Sequence, residues 1–199
     1  LLWVLVALAA HSAPPAAAEG LEARLQIGRE RHRVQLLGRR DGMVLFREAG
    51  STSSAVAALK PGDITRVRVR LEYDRDAYAR FRRSGNWAAA AAVLARGVAP
   101  ALPFIDLRNN NIVAPALAAA SHFLRAATVR SAASFRLADR QAGEREYRLA
   151  QTLLQGVMQA EWSSRADMAA MQAAICLASL GRGDEAADLL ATLSLPDPA

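Results

Sequence analysis

Residues 64–98 read ITRVRVRLEYDRDAYARFRRSGNWAAAAAVLARGV, and the fold turns on where the rhythm of this stretch changes. From Ile64 to Leu71 the apolar Val67, Val69 and Leu71 alternate with Arg66, Arg68 and Arg70, the period-two pattern of a half-buried strand. From Asp74 the rhythm is helical, with Ala77, Tyr78 and Phe81 on one face. Ser84-Gly85 breaks this first helix. Asn86 supplies a side-chain cap, and Trp87 to about Val98 forms a second helix. Strand-forming sequence lies before residue 73 and helix-forming sequence after it.

Towards the N-terminus the period stays two. Leu21, Ala23, Leu25 and Ile27 alternate with Glu22, Arg24 and Gln26, and His32, Val34 and Leu36 alternate with Arg31, Arg33 and Gln35. Asp41-Gly42 marks a hairpin turn before Val44 and Phe46. Thr52 to Ala57 gives a weaker strand, and Pro61-Gly62-Asp63 a tight turn. Five short strands joined by tight turns predict a small, strongly bent sheet or barrel. Towards the C-terminus, Pro100 and Pro103 open a loop that ends in Asn109-Asn110-Asn111. A long helix is predicted from Ile112–Pro115 to about Asp139, then a turn at Gln141-Ala142-Gly143. Further helices follow from Glu144 to about Trp162, from Arg165 to Leu180, and from a cap at Asp184 to about Thr192. The predicted class is α+β. A barrel-like all-β domain at 19–73 precedes an α-helical hairpin domain at 74–199.

The helical half resembles the tetratricopeptide-repeat family. Phe81, Gly85, Trp87, Ala90, Leu94 and Gly97 match its pattern of aromatic, turn glycine, aromatic, alanine, large apolar and small residue. Ala170, Ala174, Leu177, Gly181, Ala186 and Leu190 match it again, whereas the middle hairpin has longer helices than the family's. The strand count, the Asp41-Gly42 hairpin and the last strand of the N-terminal quarter resemble Sm-like small barrels. The first resemblance implies a surface for grasping a protein or peptide. The second makes RNA the natural ligand of a basic edge.

Leu1 to Ala10 is an unbroken apolar run, followed by Pro14-Pro15 and the small residues Ala16-Ala17-Ala18. This pattern predicts a secretory signal peptide at 1–18, cleaved after Ala18 and lacking its first residues, with a buried N-terminal helix as the alternative; as a membrane anchor the run is about half the roughly 20 residues needed to span. No other segment reads as apolar enough to span a bilayer, so the mature chain is expected in the periplasm or cell envelope. Cys176 is the only cysteine, which excludes an internal disulfide framework. The formal net charge is +6, and 24 of the 25 basic residues are arginine. Residues 19–73 hold 11 basic and 7 acidic residues, net +4, so the positive excess sits mainly in the strand region.

Two polar clusters stand out. Arg66, Arg68 and Arg70 lie on one face of a strand, with Arg31 and Arg33 on the neighbouring one, a grid able to hold oxyanions bidentately. The alternative is a solvated face partnered by Glu30, Glu48 and Glu72. Export favours an anionic envelope polymer or lipid headgroup over nucleic acid. The second cluster is Asp106, Arg108, Asn109, Asn110 and Asn111. It reads either as a structured connector or, with Trp87, as the polar mouth of a helical groove. Trp87 and Trp162 also suit core packing, and His122 has no companion at metal-ligand spacing. No phosphate loop, nucleophile elbow, zinc helix or Cys-x-x-Cys pair is present, so neither enzyme activity nor a cofactor or metal is predicted. A hydrolase would need His32 or His122 beside a serine or carboxylate. The first expectation is a non-catalytic module that binds a protein or peptide partner in a helical groove. The second is a polyanion-binding module centred on Arg31, Arg33, Arg66, Arg68 and Arg70.

Overall fold

The computed structural model describes residues 20–50, 55–133 and 137–193. The strands are β1 (Leu21–Ile27), β2 (Glu30–Arg40), β3 (Met43–Glu48), β4 (Ala57–Leu59) and β5 (Ile64–Val69). The helices are α1 (Arg75–Arg83), α2 (Trp87–Val98), α3 (Val113–Ala133), α4 (Leu137–Met158), α5 (Arg165–Ser179) and α6 (Gly183–Ala191). The fold is α+β, an antiparallel five-stranded sheet followed by helices.

The sheet order is β4-β3-β2-β1-β5. Its ladders leave β4 and β5 as the two edges, so the sheet is not closed by backbone pairing. The alternation read from sequence assigns the faces. Ala23, Leu25, Val34, Leu36, Val44, Phe46, Val67 and Val69 are buried on one side. Fully burying a side chain such as Leu25 or Val67 stabilises by about 1.5–3 kcal/mol. A bulge between Leu36 and Gly38 shifts the register of β2 against β3, and Gly38 takes φ 145° there. Beyond the bulge Arg39 pairs with the buried Val44, so it shares the core-side face.

The helices pack in sequence, each on the next, and α3 also touches α5. Asp74 and Asn86 cap α1 and α2 by accepting from the amides of Ala77 (2.8 Å) and Ala89 (3.2 Å). Gly85 supplies the positive φ (72°) of the turn between them. Gly97 has a different reason to be glycine. A Cβ there would sit 2.8 Å from the Glu72 carbonyl and from Tyr73 Cβ, so its absence lets α2 lie against the strand-to-helix linker. Buried residues of the sheet and of α2 to α5 form one apolar core across the boundary near residue 73, and Ala174, Leu177 and Ala186 form a smaller one between α5 and α6.

Four expectations need correction. Asp184 does not cap the last helix, since α6 begins at Gly183 and Asp184 lies in its first turn. The fourth strand is Ala57–Leu59, not Thr52–Ala57; residues 51–54 lie outside the described residues. The turn of the middle hairpin does not fall at Gln141-Ala142-Gly143. α3 ends at Ala133, α4 begins at Leu137, and Gly143 is buried inside α4. A Cβ on Gly143 would stand 3.2 Å from Ser131 Oγ, so this glycine serves close helix approach rather than chain reversal. Finally, a further stretch is apolar enough to pass as a membrane span by length and composition, namely Trp87–Phe104 with mean hydropathy 1.3. It holds core residues of α2 such as Ala90, Leu94 and Val98, and it carries Pro100 and Pro103. The expected signal peptide lies outside the described residues.

Candidate anion-binding face

Register decides which arginines meet. Arg24 on β1 stands opposite Arg33 on β2 and opposite Arg68 on β5. Neighbouring strands lie about 4.8 Å apart, so Arg33, Arg24 and Arg68 form a lateral row of like charges on the solvent face. One step along the strands, Gln26 stands between Arg31 and Arg66. Like charges directly opposite one another in a sheet are destabilising, and a carboxylate neighbour would relieve them. The nearby carboxylates are engaged elsewhere. Glu22 and Glu72 both bind Arg70, at 3.0 and 3.2 Å. Glu30 and Glu48 each approach the His32 ring at 3.5 Å. Among the described residues, Arg24, Arg31, Arg33, Arg66 and Arg68 form no ion pair. Arg70 differs from them, since its hydrogen bond and attraction to Glu22, helped by Glu72, hold its proton more firmly than usual.

Two open depressions mark this face. One, of about 450 Å³, is lined by Arg24, Arg33, Arg68 and Arg70, together with Glu22, which is held by Arg70. The other, of about 540 Å³, lies where β5 meets the helical half and is lined by Gln26, Arg66, Arg68, Asn109, Trp162 and Arg165. Arg68 belongs to both.

The second predicted cluster is engaged by the backbone. Asn110 is buried, and its amide donates to the carbonyls of Ile105 and Leu107, both at 2.7 Å. Its Oδ1 accepts from the amides of Ile112 (2.7 Å) and Val113 (3.2 Å), which caps α3. Asn111 accepts from the Val69 amide (2.8 Å) and donates to the Val69 carbonyl (2.9 Å), taking the place of a further strand at the β5 edge. Asn109, at φ 52°, donates to the Thr65 carbonyl at 3.1 Å. Asp106 pairs with Arg39, and its carbonyl accepts from Trp162 Nε1 at 3.0 Å. Arg108 is exposed.

Trp87 is half-buried in a separate group. The Arg125 guanidinium lies 3.9 Å from its ring centre, and the His122 ring 5.3 Å away. His122 Nε2 is 3.1 Å from the Tyr78 hydroxyl. Burial, then Arg82 and Arg125, make this imidazole harder to protonate than a free one. Trp87 and the asparagine segment therefore have no partner in common. Cys176 is buried, and burial pushes its thiol up to about 11.

The expectation that Arg31 and Arg33 lie on the strand next to Arg66, Arg68 and Arg70 needs correction: β1 runs between β2 and β5, so Arg24 joins the cluster, a place that only pairing register shows. The sequence alone favours packing over an exposed recognition platform for Trp162, and marks Arg165 only as a helix start. Searches of family models, curated proteins and solved structures return no match to this chain.

Proposed function

We propose that the chain is a non-catalytic binding module whose sheet presents its arginine face to a polymer bearing oxyanions. The row Arg33–Arg24–Arg68 carries this proposal. It gathers like charges at strand spacing with no ion pair among the described residues, an arrangement that a bound phosphate, sulfate or carboxylate would relieve. Heparin-agarose elution of the full chain and of an Arg24→Gln/Arg68→Gln variant tests it. Earlier elution of the variant, at unchanged helicity, is expected. Equal retention would remove the proposal.

A second reading keeps the helical half as a protein-docking surface. Met168, Met171 and Ile175 follow one another at helical spacing on α5 and are about half exposed, at 46%, 47% and 52%. Large apolar side chains on one helix stripe suit a partner helix. The sequential packing of α1 to α6, with α3 also against α5, supports a tetratricopeptide-like stacking of hairpins. The eleven-residue, bulged β2 supports a bent, barrel-like sheet. Action in the periplasm or cell envelope rests on the apolar Leu1–Ala10 run and the small residues after it.

A further inference from the structure

We infer that the depression between β5 and the start of α5 is a subsite for one sugar ring of an anionic polysaccharide; this rests on the arginine face binding polyanions, as proposed above. The site differs from the arginine row in one respect, an aromatic platform. Trp162 is half-buried and lines the depression. The indole N–H is spent on the Asp106 carbonyl at 3.0 Å, and the Asp106 carboxylate is itself held by Arg39. The indole is thus pinned by the connector, and what it still offers a ligand is apolar ring surface. Around it stand Arg66 and Arg68 from β5, Arg165 from α5, and the amides of Gln26 and Asn109. None of these three arginines forms an ion pair among the described residues.

A phosphate chain would use the guanidinium groups and ignore the indole. A nucleobase has two flat π faces and no apolar C–H face, and only one aromatic residue lines the depression among the described residues. A pyranose carrying an acid group has one apolar C–H face and a rim dense in hydroxyls. The C–H face matches the single indole. The rim matches planar amides, which both donate and accept, and the acid group matches the guanidinium forks. Because Arg68 lines both depressions, one polymer could run from the arginine row into this subsite without leaving the face.

The test uses the full chain and three probes in calorimetric titration: a heparin-derived tetrasaccharide, linear polyphosphate of matched charge, and oligo-dT. Two variants leave the net charge unchanged, Trp162→Leu and Gln26→Ala. Gln26 is at the surface, and its amide makes one long side-chain bond, 3.3 Å to the Gly28 carbonyl, so Gln26→Ala keeps the test open should Trp162→Leu misfold. Trp162→Leu is expected to weaken the tetrasaccharide about tenfold and Gln26→Ala about fivefold, with polyphosphate unchanged in both. If both probes weaken equally, if neither changes, or if wild type binds polyphosphate and not the tetrasaccharide, the sugar subsite is wrong and the arginine face stands. If wild type binds no probe, the arginine face itself is wrong. Oligo-dT that binds more tightly than the tetrasaccharide and weakens with Trp162→Leu would make the occupant a nucleic acid and overturn the sugar assignment.

Discussion

The asparagine connector and the arginine face are both polar clusters, and the structure treats them in opposite ways. Around Asn110 every side-chain hydrogen-bonding group is matched to a backbone group of the connector or α3. Across Arg33, Arg24 and Arg68 no charge is matched by another side chain among the described residues. A polar residue whose partners are all internal holds the fold. One that the fold collects and leaves unpaired is available for a ligand. The two sets of substitutions should therefore separate stability from binding.

The largest effect is expected from Asn110→Ala. It strands the amides of Ile112 and Val113 and two carbonyls inside the protein, at about 3 kcal/mol. For a domain of this size that lowers the melting temperature by roughly 10 °C in calorimetry, while heparin elution of the folded protein stays the same. Next is Arg24→Gln/Arg68→Gln, which should weaken polyphosphate binding about thirtyfold by removing two charge-assisted contacts. Its melting temperature should hold or rise slightly, because like charges across strands are relieved. A fall like that of Asn110→Ala would erase the contrast between the two regions. Asn111→Ala should cost about 1.5 kcal/mol in denaturant unfolding, since it uncovers the Val69 amide and carbonyl at the β5 edge.

The smallest effect concerns pH and neither region. His122 is harder to protonate folded than unfolded, chiefly through burial. The unfolded chain then binds the proton first, so stability should decline as pH falls below about 6.5. A His122→Gln variant should show a flatter profile over that range, followed by chemical denaturation at several pH values.

How much of this was legible in the sequence depends on the range of the interactions involved. Alternation in Leu21–Ile27 and Ile64–Leu71 gave correct faces because period two is a local property of the backbone. The Asn86 cap was legible for the same reason. Gly143 misled because a turn glycine and a close-approach glycine look alike until the neighbouring helix, with Ser131, is in place. The arginine row was half visible. Arg66 and Arg68 follow from one strand, but Arg24 joins Arg33 and Arg68 only through the β2–β1–β5 register, which depends on strand order. The asparagine run reads from sequence as a structured connector or a groove mouth; the cap made by Asn110 is local, whereas Asn109 and Asn111 bind Thr65 and Val69, more than forty positions away.

The most direct test of the central claim is the salt dependence of polyphosphate affinity for wild type and for Arg24→Gln/Arg33→Gln/Arg68→Gln. Wild-type affinity should fall steeply as salt rises, and the variant should bind more weakly with a log–log slope shallower by about two. Identical slopes and affinities for the two proteins would contradict it, because the unpaired row would then have no part in holding an anion.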